Sequence, residues 1–206
     1  MSGAFPISSA KFETLGIKSI QNTIISKSHS GKKLARQIDN QRFGFTARII
    51  TAKRSDVYGE LMAFIIKQRS GKENFTIIPP EIEDARGSET GTVLVNGVHA
   101  VGDTTIAMDG FAGDGAGRFK AGDFLKFASH DKVYMVVADA TSSSNACTVT
   151  IEPPLITALA DDSTVTYDNV PFTVHLTNDI QEFGAIGSDK DGNLLYQFEF
   201  DVEESL

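Results

Sequence analysis

From residue 194 to residue 202 the side chains alternate almost without fault. Leu194, Tyr196, Phe198, Phe200 and Val202 fall on one side, and Leu195, Gln197, Glu199 and Asp201 on the other. A period of two marks a strand with one apolar face. That face has to be covered by a second layer, which restricts the chain to sheet-based architectures. A second run of the same kind spans residues 42–50. It places Phe43, Phe45, Ala47 and Ile49 on one face and Arg42, Gly44, Thr46 and Arg48 on the other. Shorter strand-like runs cover residues 17–25, 75–78, 165–167 and 172–176, and a polar turn is expected at residues 28–31.

One segment breaks the period. Over residues 54–69 the apolar side chains Val57, Tyr58, Leu61, Met62, Phe64, Ile65 and Ile66 recur at spacings of three and four, which predicts an amphipathic helix. Ser55 or Thr51 is expected to cap its N-terminus, with Asp56 or Glu60 suiting the helix dipole. Gly71 is expected as the left-handed stop. Pro79 and Pro80 end the strand that follows.

Residues 83–91 are polar and turn-rich and read as a linker. The composition then changes, with nine glycines between Gly87 and Gly122. Short strand-like runs at residues 92–95, 104–108, 124–127, 133–138 and 147–151 predict a small five-stranded barrel. The stretch 110–117 reads as a flexible loop. The segments on either side of this region are poor domains by themselves. Together they make one sheet-plus-helix domain, with Pro79 and Pro80 marking the exit and Pro153 and Pro154 the re-entry. The expected fold is therefore mainly β with one amphipathic helix (α+β). Residues 1–86 and 160–206 form a discontinuous unit, and residues 87–159 form an inserted barrel or sandwich.

Charge is divided along the chain. Residues 1–80 hold 13 Lys and Arg against 5 Asp and Glu, and residues 81–206 hold 6 against 22. Opposite signs of this kind suit contacts within the chain or between neighbouring copies. The candidate interface residues are Lys32, Lys33, Arg36, Arg42 and Arg48 on the basic side and Asp201, Glu203 and Glu204 on the acidic side. Scattered cations without a recognition motif argue against sequence-specific nucleic-acid binding. The N-terminal residues lack the pattern of a secretory signal, and no apolar run approaches the roughly 18 residues of a membrane helix.

Motifs for chemistry are lacking. There is no G-x-S-x-G elbow and no H-E-x-x-H pair. Asp114 to Gly117 is not followed by Lys-Ser/Thr, so it is no Walker loop. Asp189 to Asn193 places its glycine too early for an EF-hand and reads as a turn. Asp103, Asp109, Asp114 and Asp123 stand in turn-rich contexts, where aspartate bonds the local backbone. Cys147, the one cysteine, reads as a small buried hydrophobe, and His175 as an ordinary strand residue. No enzyme activity, cofactor or metal is expected.

The order of these segments is similar to a known family. RFGFTARI, then YGELMAFIIKQR, then GKENFTIIPP resembles the N-terminal domain of distal tail proteins of long-tailed bacteriophages. NGVHAVGDTTI, KAGDFLKF, KVYMVVADA and TVTIEPPL resemble a module found in phage tail proteins. The resemblance implies a structural virion protein of the tail tip or baseplate. It would form a homo-oligomeric, hexameric ring between the tail tube protein and the hub or fibre proteins, with assembly in the bacterial host cytoplasm. It carries over no catalytic residues. A ring passes DNA through its lumen, and an acidic lumen would ease that passage by repulsion. Two other readings stay open: a carbohydrate or host-surface binding module, and another minor tail or adaptor protein. The lack of tryptophan weighs against a sugar site.

Overall fold

The computed structural model describes residues 3–6 and 11–206. Residues 1, 2 and 7–10, part of the expected first unit, lie outside the described residues. The protein is mainly β with one α-helix, as its periodicities require.

The first sheet contains the two alternating runs. β4 (Arg42–Lys53) and β16 (Leu194–Glu204) pair antiparallel at its centre. β1 (Phe12–Ile20) lies beyond β4. The opposite flank of β16 holds β14 (Phe172–Leu176) at one end and β15 (Gly184–Ser188) at the other, and β5 (Phe75–Ile77) pairs with β14. Phe43, Phe45, Ala47 and Ile49 are buried, as are Phe198, Phe200 and Val202. Each such phenylalanine contributes roughly 2–3 kcal/mol of burial.

The helical segment covers this core. Arg54–Tyr58 forms a π-helical turn and α1 (Gly59–Lys67) continues from it. Val57, Tyr58, Leu61 and Ile65 face the sheet. The expected caps are absent. No side chain caps either turn, and the Ser55 hydroxyl donates to Asp56 instead. The left-handed residues at the helix end are Arg69 and Ser70, not Gly71. Gly71 is needed for space, because a Cβ there would stand 2.5 Å from the Leu176 carbonyl oxygen.

The second sheet runs β13–β9–β10–β12–β7–β6. Its strands are β6 (Leu94–Val95), β7 (Thr105–Asp109), β9 (Phe124–Phe127), β10 (Val133–Val136), β12 (Ala146–Glu152) and β13 (Val165–Thr166). Val95 donates its N–H to Ser163, and Val165 donates to Val93. These bonds bring the first strand to the last and nearly close a barrel. The glycine-rich stretch is more ordered than its composition suggests. β8 (Gly115–Phe119) starts inside the expected loop and pairs with β11 (Ala140–Ser142). Residues 83–91 are not a free linker either. A Cβ on Gly87 would overlap the Arg118 carbonyl, and Glu89 is buried. The Glu89 carboxylate accepts from Thr90, Gly91 and Ala112 N–H groups and so pins the glycine loop.

The chain leaves the first sheet after β5 and returns after Thr166. Pro153 and Pro154 do not mark the return, because β13 still pairs with β9 beyond them. Each sheet has its own buried cluster, and Phe124 and Val133 of the barrel pack into the first.

Candidate assembly surfaces

The polar face of the first sheet is a lattice of ion pairs. Lys18 meets Asp201 at 2.7 Å, Arg42 meets Glu203 at 2.6 Å and Arg48 meets Glu199 at 2.8 Å. Hydrogen bonds from Lys18 and then Thr46 hold the Asp201 carboxyl below its usual range. The bond to Glu199 raises the Arg48 guanidinium. Exposed pairs of this type fix register more than they stabilise. Arg42, Arg48, Asp201 and Glu203 are therefore brought together on one face, paired within the chain.

Glu204 is not on that face. It is buried and accepts the Lys132 ammonium at 2.5 Å, the Val133 N–H at 2.7 Å and the Phe43 N–H at 3.1 Å. Lys132 belongs to the barrel, so this pair locks the two sheets together. Its ammonium lies 4.5 Å from the Phe43 ring centre. Burial lowers the lysine, opposed by the Glu204 charge. Sequence reasoning missed the role of Lys132, whose partner is 72 residues away.

Lys33 and Arg36 lie on an arm, with Lys32 in the turn that joins its two strands. β2 (Thr23–Lys27) and β3 (Lys33–Gln37) form a hairpin that pairs with no other strand. All ten strand residues are exposed. Register puts Ile25, Ala35, Lys27 and Lys33 on one face and Ile24, Leu34 and Arg36 on the other. Gly31 takes the turn at φ +80°. The root is held firmly. Asp39 accepts the Asn22 N–H and side-chain amide and the Arg42 guanidinium, and the Asn22 bond lowers its pKa. An isolated two-stranded ribbon is marginal in water. Its second strand was illegible in the sequence because neither face is buried, so no alternation marks it.

Two sheet edges are open as well. Among the described residues β1 has no strand on its outer side, and a groove of about 300 Å³ runs along it between Phe12, Leu15 and Ile17 and the segment Pro80, Glu81 and Ile82. β15 forms the other open edge. The β5 edge is covered, with Phe5 donating to the Thr76 carbonyl and Thr76 to the Gly3 carbonyl.

Several aspartates of the turn-rich segments bond the local backbone. Asp123 accepts from the Arg86, Gly87 and Lys120 N–H groups, Asp114 from Asn145, and Asp103 from Ala100. Asp189 closes its own turn by accepting from Asp191 and Asn193. Cys147 is buried, and burial raises its thiol. His130 and Tyr134 share a buried hydrogen bond of 2.9 Å. Among the described residues no group of three or more His, Cys, Asp or Glu is placed to hold a metal, and no helix is long and apolar enough to cross a membrane. Every phenylalanine and tyrosine is buried or half-buried.

Residues 83–170 match the family model described as the B domain of distal tail protein pb9. The match spans the whole barrel, from ahead of β6 to beyond β13. No curated protein matches the chain.

Proposed function

We propose a ring-forming structural role in the virion for this chain, which through residues 83–170 belongs with the phage distal tail proteins. The first sheet, its helix and the β2–β3 arm make the ring-forming unit, and the barrel is a peripheral unit inserted between β5 and β14. The ring is a homohexamer at the tail tip or baseplate. It joins the tail tube protein to hub and fibre proteins, and DNA passes through it. Self-assembly fits the surfaces better than ligand binding does. The observation that carries the reading is the arm, whose exposed aliphatic and basic residues have no partner strand in the monomer. Two open edges on one sheet support head-to-tail contacts, which close into rings when the rotation permits.

Native mass at low and moderate salt tests the reading. The expected species is about six times 22.2 kDa. A strict monomer at every concentration would overturn it.

A further inference from the structure

The arm and the β15 ribbon form a complementary pair. Residues 22–38 carry Lys27, Lys32, Lys33 and Arg36 and no acidic residue. Four aliphatic side chains, Ile24, Ile25, Leu34 and Ile38, are each more than half exposed on it. Residues 178–194 carry Asp179, Glu182, Asp189 and Asp191 against Lys190 alone. Ile180, Ile186 and Leu194 are likewise more than half exposed there. Asp189 is engaged with Lys53. Among the described residues no ion pair engages Asp179, Glu182, Asp191 or the four cations of the arm.

The other acids are poorer candidates. Asp201, Glu203 and Glu199 are paired with Lys18, Arg42 and Arg48, and Glu204 is buried. The ribbon also has the right backbone. Its outer edge is unpaired, and a bulge between Ala185 and Gly187 turns Ile186 outward. A Cβ at Gly184 or Gly187 would meet nothing within 4 Å, so the monomer's own packing does not require glycine there. Bare glycines on an open edge permit close approach of another backbone.

The root of the arm and the far end of the ribbon stand at opposite ends of β4. The arm leaves the sheet beside Arg42, at the start of β4. The ribbon lies beside Lys53, at its end. β4 has 12 residues, so Lys53, which holds Asp189, stands roughly 36 Å from Arg42 at 3.3 Å per residue, and Gly184 and Thr177 lie between these ends, level with Gln197 and Asp201. The arm strands have five residues each and reach about 17 Å.

We propose that the β2–β3 arm of one copy docks on the β15 ribbon of the next, with the arm's cations Lys32, Lys33 and Arg36 in reach of Asp179, Glu182 and Asp191 and the face that carries Ile24 and Leu34 enclosed against the ribbon. The proposal rests on the ring reading and names its contact. Such a contact is heterologous: each copy gives an arm and receives one.

The test reverses charge on each side of the full chain. One variant carries Lys32→Glu, Lys33→Glu and Arg36→Glu. A second carries Asp179→Lys, Glu182→Lys and Asp191→Lys. A third carries all six. Sedimentation at low salt reads assembly, and thermal melting confirms that each variant is folded. Each triple variant is expected to raise the concentration of half-assembly at least about tenfold. The six-fold variant is expected to assemble again. If either triple variant assembles like the parent, the arm contact is overturned while the ring stands. If the triples dissociate and the six-fold variant stays dissociated, the arm docks on some other surface and the proposal falls. If the parent chain itself is monomeric throughout, both the ring reading and the arm contact fall.

Discussion

At Glu204 three donors converge on one buried carboxylate, two from the adjacent residues Lys132 and Val133 and one from Phe43. Removing Lys132 alone would strand that charge. Lys132→Met is expected to destabilise the fold by about 3–5 kcal/mol. Adding Glu204→Gln is expected to recover part of the loss, and denaturant unfolding of the two variants measures the difference. Other carboxylates set the acid limit of stability. Asp39, Asp114 and Asp201 are lowered by hydrogen bonds to their ionised forms, led by Asn22, the Asn145 N–H and Lys18 respectively. A depressed folded pKa gives stability that is present above the unfolded value of about 3.8 and is lost as pH falls through the folded one. Glu83 and Asp168 behave oppositely. Burial, followed by the Asp84 charge, raises both. Their ionisation weakens the fold at neutral pH, and the penalty disappears as pH falls through their raised values. Melting temperature is therefore expected to peak on the mildly acidic side, above pH 4, and to fall steeply below it. Asp168→Asn is expected to raise the melting temperature at pH 7 and leave it unchanged near pH 4.

Among the elements, the strands that show in the sequence are those with one dry face. β4 and β16 bury every second residue over most of their length, and that period is visible without a structure. β2, β3 and β15 bury nothing in the monomer, so they have no period to find. β8 was hidden differently: its GAGRF sequence looks like a loop, and only its pairing with β11 makes it a strand. Helix α1 was legible, but its caps were not, because the π-helical turn replaces the capping geometry that Ser55 would have supplied. Gly71 serves close packing and not the left-handed stop that its place after the helix suggests. Gly71→Ala is expected to cost about 1–3 kcal/mol through the clash with the Leu176 carbonyl, and thermal unfolding measures it. Gly31→Ala, strained by its φ of +80° on an exposed tip, is expected to cost about 1 kcal/mol and to leave the core transition cooperative.

On the scale of the whole molecule, the charge division seen along the sequence is largely spent inside the chain. The basic strand β4 lies against the acidic strand β16, so part of the opposition holds one sheet together within the chain. What remains outward is the arm and the β15 ribbon. Brief trypsin digestion is expected to cut the free chain first at Lys27, Lys32, Lys33 or Arg36. Those same bonds are expected to be protected in the assembled species, and mass spectrometry of the fragments reads both. The barrel was legible as a unit because its turns are dense in glycine. Its attachment was not, because the pairing of Lys132 with Glu204 leaves no trace in local sequence.

That pairing also imposes an order on synthesis. Lys132 leaves the ribosome 72 residues before the carboxylate that neutralises it. At about 5–20 residues per second this is an interval of roughly 4–14 s. A barrel that closed on emergence would spend that time without the carboxylate that pairs its ammonium. Only the arrival of β16 completes the first sheet, and the same strand supplies the lock. The carboxylate that neutralises Lys132 and the strand that joins β4 to β14 thus reach the fold together.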